Sequence, residues 1–244
     1  MIYETQYTVQ PRHMDACGRT RPSALLGFAL DAAGQHCVQL GADRAALEKR
    51  NLFWAVLRHR LQIARYPAVG EQLTVKTWPM PTTRSAYPRA AVAVDQDGKE
   101  VFRLVSLWVL MDISARTMVL PGKSGVGVDG LLLGNELPAP SSITPMVLSE
   151  TVTRRVEAED LDQNNHMTNT RYLDWIDDLQ SVDFRREHAP KEIQICYLAE
   201  ALPGQEITLG LQASEEGFLQ AEGFSARTNV SDKATRIFAA KLYF

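Results

Sequence analysis

The chemistry-bearing residues of this 244-residue chain crowd into one run, Glu159-Asp160-Leu161-Asp162-Gln163-Asn164-Asn165-His166-Met167-Thr168-Asn169. Asp162, Asn164 and His166 stand two apart within it, and in an extended segment that spacing puts all three side chains on one face. A carboxylate beside an imidazole can orient it and set its tautomer, while a carboxamide offers a donor and an acceptor to a water or a carbonyl. A helix beginning near Asn169 would add unpaired backbone N–H groups and a positive dipole end, suited to an oxyanion. The competing reading is a solvated polar turn with an Asn or Thr helix cap. Read as a calcium loop from Asp160, the run has Asn165 where Gly is needed and Arg171 where a bidentate Glu is needed. No metal site is expected, because His13, His36, His59, His166 and His188 are scattered without zinc-ligand spacing.

Most of the remaining chain alternates with period two, as strands do. Tyr3, Thr5, Tyr7 and Val9 alternate with polar residues, and so do Leu57, His59, Leu61 and Ile63; Val101 to Met111 reads as one long strand, and Lys76 to Asp95 as parts of two more. Two segments follow helical spacing instead. Pro22 to Leu40 carries Leu25, Leu26, Ala29, Ala32, Ala33 and His36, with Pro22 at the first helical position and Gly41 past the end. Asn169 to about Phe184 predicts a second long helix, with Tyr172, Leu173, Ile176, Leu179 and Val182 on one side.

Between the two blocks, Leu131 to Pro145 is dense in Gly, Pro and Ser, which is linker chemistry. On both sides the order is strand, acidic turn, helix and strand meander, and both meanders contain a similar turn, Tyr66-Pro67-Ala68-Val69-Gly70 against Leu202-Pro203-Gly204. This predicts a duplication: an α+β, tandem hot-dog chain in which each antiparallel sheet wraps a long helix, and the two sheets pair edge to edge. The expected domains are an N-terminal hot-dog at 1–130, a linker at 131–148 and a C-terminal hot-dog at 149–244.

The string Asp160-Leu161-Asp162-x-Asn164-x-His166-x-x-Asn169, followed by Tyr172 and Trp175, resembles the motif of the acyl-ACP thioesterase family. The first half adds Asp31-Ala32-Ala33-Gly34-Gln35-His36, Trp54-Ala55-Val56-Leu57-Arg58, Thr77-Trp78-Pro79, Arg89 and Trp108-Val109-Leu110-Met111-Asp112, so the likeness covers nearly the whole chain. The resemblance implies release of free fatty acid from acyl carrier protein, with catalytic roles for Asp162, Asn164 and His166. It also implies a fourth functional group, an acidic residue 34 positions beyond the histidine, which here is Glu200. A Cys follows this acid in plant members, but Ala201 stands there, and Cys196 reads as a small core residue. In the first half Asp15-Ala16-Cys17-Gly18-Arg19 keeps the Asp but has Cys and Arg in place of Asn and His, with Tyr66 in place of Glu200. One site per chain is the expectation.

Hydrolysis needs no cofactor. Either Glu200 or Asp162 could draw a proton from water, or Asp162 could attack as a nucleophile. The acyl slot is expected on Leu25, Phe28 and Ala29 of the first helix with Trp54 and Val56, although each could equally be plain core. Arg58, Arg60, Arg65, Arg84 and Arg89 could meet an acidic carrier protein or form a solvated strand face. A net charge of -3 gives no general attraction for nucleic acid. Three cysteines, Cys17, Cys37 and Cys196, lack disulfide or C-x-x-C spacing, and there is neither a signal-peptide pattern nor an apolar run of membrane-spanning length. A cytoplasmic monomer or homodimer is expected. The alternatives are a thioesterase for acyl-CoA, a non-catalytic hot-dog acyl-binding protein, and a hydratase of the same fold.

Overall fold

Strand-forming alternation and two helical interruptions build the same unit twice in the computed structural model, which describes residues 1–128, 130–225 and 234–244. The first unit comprises β1 (Tyr3–Thr8), α1 (Pro22–Gln39), α2 (Arg44–Glu48), β2 (Leu52–Ile63), β3 (Gln72–Pro79), β4 (Tyr87–Val94) and β5 (Glu100–Asp112). A short β6 (Met118–Val119) and α3 (Pro121–Ser124) follow. The second unit comprises β7 (Glu150–Arg155), α4 (Arg171–Asp177), α5 (Val182–Glu187), β8 (Glu192–Tyr197), β9 (Glu206–Ala213), β10 (Phe218–Ser225) and β11 (Arg236–Tyr243).

Among the described residues eleven strands form one antiparallel sheet in the order β1-β3-β4-β5-β2-β8-β11-β10-β9-β7, with β6 beside β5. The order reads alike inward from either end, so the molecule is a tandem hot-dog with an internal pseudo-twofold at the β2–β8 pair. Arg58 to Gln62 of β2 face Cys196 to Glu192 of β8, and this pairing satisfies what would be two exposed edges.

Helix α1 lies across the first half of the sheet and buries Leu25, Leu26, Phe28, Ala29 and Ala32 against Leu73, Val75, Ala91, Ala93 and Leu104. Pro22 opens it and Gly41, at φ 63°, follows its end. The segment joining the halves covers the opposite sheet face. There Leu131 and Leu137 pack on Trp78, Ala90 and Val105, while Ile143 packs on Cys196 and Ala239.

The second helical segment is not one long helix. After α4 the backbone tightens, with Leu179 N–H bonded to Ile176 O at 3.2 Å and Gln180 N–H to Asp177 O at 3.1 Å. Ser181 then restarts the chain as an N-cap, its Oγ accepting from Phe184 N at 3.2 Å. The 3.6 periodicity runs through both pieces, so the apolar stripe alone does not reveal the break.

Asp177, at the end of α4, is 9% exposed, and its carboxylate accepts no hydrogen bond among the described residues. Burial drives its pKa up to about 7, Arg185 opposes the shift, and Asp174, Asp15 and Asp178 add to it. Arg19, Tyr66, Gln180 and His188 close the same crevice. The unfolded chain ionises this group from about pH 4, whereas the folded protein keeps it protonated to about pH 7, so its contribution to stability falls across that window and is flat above it. Asp177→Asn is therefore expected to gain on the wild type as pH rises from 5 to 8, by on the order of 2 kcal/mol in urea unfolding. A gap that does not change with pH would contradict this.

Candidate active site

The twelve residues of β2 outrun their partner. β8 pairs only with Arg58 to Gln62, and a bulge between Val56 and Arg58 re-aims the remainder of the strand. Beside the unpaired stretch a cleft of about 320 Å³ opens, with Phe53, Trp54, Val56, Trp108 and Arg116 on the first-half side. Asp162, Asn164, His166, Tyr172, Tyr197 and Glu200 line the second-half side. All four residues expected to do chemistry thus meet in one cleft.

They are not brought together by an extended face. The loop is a tight turn closed by a bridge between Leu161 and Met167, with Asn165 at φ 62°. Asp162 Oδ1 accepts the backbone N–H of Asn164 at 2.8 Å and of His166 at 3.2 Å; Asp162 N–H bonds to His166 O at 2.8 Å. The other carboxylate oxygen, Oδ2, takes the Asn164 Nδ2–H at 3.2 Å. The carboxylate beside the imidazole is instead that of Glu200, whose Oε2 lies 3.7 Å from His166 Nε2. The start of α4 offers less to an oxyanion than expected, because Arg171 N–H is bonded to Thr168 O and Leu173 N–H to Thr170 O.

The first half repeats the turn without its chemistry. Asp15 Oδ1 accepts the N–H of Cys17 at 2.8 Å and of Arg19 at 2.9 Å, a bridge joins Met14 to Thr20, and Gly18 at φ 75° stands where Asn165 does. Tyr66, the third residue past β2, matches Glu200, the third past β8. Tyr66 Oη donates to Pro190 O at 2.7 Å, and Arg19 is bonded to Arg185 O, so this second turn is plugged by the α5 region.

Two supporting residues emerge from the geometry. Arg116, at φ 53° in the turn after β5, reaches across from the first half to pair with Glu200, its guanidinium 5.2 Å from the Phe53 ring centroid. Its partner lies 84 residues away in sequence, so no spacing marks it. Asp160, 3% exposed, receives Arg171 Nε at 2.9 Å, Trp175 Nε1 at 3.3 Å and Glu157 N at 3.0 Å, which ties the turn to α4.

A second cavity of about 380 Å³ adjoins the cleft and shares Trp54 and Trp108 with it. Leu30, Ala33, Cys37, Met80, Tyr87 and Arg89 contribute to its wall. Of the expected acyl-slot residues, Trp54 lines both spaces and Val56 the cleft, while Ala29 reaches only a small inner crevice. Leu25 and Phe28 line neither space; they face the core, and the adjoining flank of α1 is the one that meets the cavity. Most of the arginines suggested for a carrier protein are engaged within the chain: Arg60 with Glu192, Arg65 with Glu71 and Asp95, Arg58 with Pro140 O, and Arg89 with His36. Arg84 is exposed.

Residues 1–120 match the family model described as acyl-ACP thioesterase N-terminal domain, and residues 147–237 match the acyl-ACP thioesterase C-terminal domain. The chain belongs to the acyl-ACP thioesterase family. Among curated relatives, it is 24% identical over 191 residues to a chloroplastic palmitoyl-acyl carrier protein thioesterase of Gossypium hirsutum, a match covering 72% of this chain and 46% of that protein. It is 23% identical over 191 residues to a chloroplastic dodecanoyl-[acyl-carrier-protein] hydrolase of Cinnamomum camphora, covering 72% of this chain and 50% of that one. The chain spans about half the length of these relatives. Its fold superposes on an acyl-ACP thioesterase from Bacteroides thetaiotaomicron with a TM-score of 0.85 at 24% identity, covering 100% of this chain and 97% of that one. For a 12:0-ACP thioesterase from Umbellularia californica the TM-score is 0.82 at 17% identity, with 99% and 96% covered.

Asp160→Ala would leave the Arg171 guanidinium and the Trp175 N–H without their buried acceptor. A loss of about 3 kcal/mol in urea unfolding is expected. A loss below about 0.5 kcal/mol would show that the anchor does not hold the turn.

Proposed function

We infer that the chain hydrolyses fatty acyl-ACP to free fatty acid and holo-ACP, a reaction that ends or diverts fatty acid synthesis. The observation that carries this reading is the His166–Glu200 pair, 3.7 Å apart in a cleft that adjoins an apolar cavity. The division into an acyl-pocket half at 1–130, a linker at 131–148 and a catalytic half at 149–244 belongs to the same proposal. So does a cytoplasmic location. It is supported by three unpaired cysteines, and among the described residues no helix is long and apolar enough to cross a membrane.

In the proposed mechanism Glu200 takes a proton from a water held by His166, and the water oxygen attacks the thioester carbonyl carbon. Asn164 stands on the same turn, where its Nδ2–H can stabilise the oxyanion. The C–S bond then breaks, and the proton passes to the departing thiolate of the carrier's phosphopantetheine. Arg116 restrains Glu200 from the opposite wall. Asp162 acts through the turn: its Oδ1 holds two backbone N–H groups, as Asp15 does where no chemistry occurs.

Asn has an equivalent carbonyl oxygen, so Asp162→Asn is expected to stay within about 10-fold of the wild-type kcat on acyl-ACP. Asp162→Ala and Glu200→Gln are expected to lose about 100-fold or more. If Asp162→Asn were as inactive as Asp162→Ala, the Asp162 carboxylate itself would be in the chemistry. Hydrolysis of acyl-CoA outpacing that of acyl-ACP at the same chain length would move the assignment to an acyl-CoA thioesterase.

A further inference from the structure

Arg89 is a cation without a carboxylate. Its side chain projects from β4 into the space beneath α1, where Nη1 meets His36 Nδ1 at 3.1 Å and Thr77 Oγ1 at 3.3 Å, and Nη2 meets Cys37 Sγ at 3.8 Å. No Asp or Glu pairs with it among the described residues, and burial lowers its pKa. His36 is no counter-ion. Burial and the neighbouring guanidinium hold the imidazole neutral, down to about pKa 4. The last turn of α1, from which His36 and Cys37 project, supplies a negative dipole end that tempers the charge without neutralising it.

The position of this group matters because it stands where the cavity ends against a crevice too tight to admit a water molecule. Arg89, Leu30, Ala33 and Trp108 line both the 380 Å³ cavity and a narrow crevice behind it. Beyond them the crevice is walled by small or slender residues, among them Ala29, Ala90, Ala91 and Ser106. An apolar chain entering past Trp54 would run along Ala33 and Tyr87 and then meet the guanidinium. Pressing a methyl group onto partly unpaired N–H donors strips their solvation and returns no hydrogen bond.

We propose that Arg89 is the specificity-determining residue that ends the acyl slot: it closes the cavity against the inner crevice and so sets the longest unsubstituted chain the enzyme accepts. The proposal rests on the thioesterase reading above. Replacing Arg89 with an uncharged side chain removes the guanidinium, and the volume it vacates beside the crevice moves the preference to longer chains. The mutation touches no residue of the His166–Glu200 pair.

The test is a chain-length series of saturated acyl-ACPs, with kcat/KM measured for the wild type, Arg89→Met and Arg89→Gln. In both variants the ratio of kcat/KM for a substrate two carbons longer than the wild-type optimum to that for the optimum itself is expected to rise about 10-fold or more. Ala29→Val added to Arg89→Met fills the volume that the guanidinium vacated and returns the profile toward wild type, which a general loosening of the fold would not do. An unchanged profile in both Arg89 variants overturns the proposal, as does a shift to longer chains that Ala29→Val leaves in place. A wild type that hydrolyses no acyl-ACP would instead sink the thioesterase reading. Should Arg89→Met melt well below wild type, Arg89→Gln, which keeps a donor toward His36 and Thr77, carries the comparison.

Discussion

The antiparallel pairing of β2 with β8 is the constraint on which the rest depends. Each half presents one edge strand to the other, and their union makes one sheet of two. Leu61 and Ile63 of β2 and Ile193 and Ile195 of β8 enter the same buried cluster, so the joint is sealed by hydrophobic burial as well as by hydrogen bonds. β2 is also longer than the joint requires. Where β8 stops, the two chains part, and the gap becomes the cleft into which the second-half turn and Glu200 project. A site made this way takes walls from both halves while its proposed acid, base and amide come from one.

Duplication separates what the turn needs in order to fold from what it needs in order to react. Asp15 and Asp162 grip their turns through the same pattern of backbone hydrogen bonds, so this aspartate answers a folding requirement common to both halves. The differences lie in what hangs from the turn. Arg19 and Tyr66 fill the first-half position by bonding to the α5 region, whereas Asn164, His166 and Glu200 leave theirs open. One backbone design thus gives a plugged turn and an open one.

Much of this was legible in the sequence. Period-two alternation located the strands, Pro22 and Gly41 bounded α1, and the repeated Asp-containing turns disclosed the duplication. The family motif led to the four residues that line one cleft. What stayed hidden depends on tertiary context. Arg116 is a lone arginine in a turn until the β2–β8 joint brings it to Glu200. The break at Ser181 follows from a single capping hydroxyl inside an unbroken apolar stripe. Leu25 and Phe28 have the composition of an acyl slot, but periodicity marks the buried face of α1 without saying which part of that face meets empty space. In sequence Asp162 reads as an orienter of the imidazole, whereas its contacts are with the backbone N–H groups of Asn164 and His166 and with the side-chain amide of Asn164.

In the proposed mechanism water, activated at the Glu200–His166 pair, attacks the thioester directly while Asp162 shapes the turn. Single-turnover hydrolysis of an acyl-ACP in H2¹⁸O, with enzyme in excess, tests it most directly when the released acid and the peptides bearing Asp162 and Glu200 are analysed by mass spectrometry. Direct attack by water places one ¹⁸O in the fatty acid and none in either peptide. Label in the Asp162 peptide would reveal an acyl-enzyme anhydride opened by water and would contradict it.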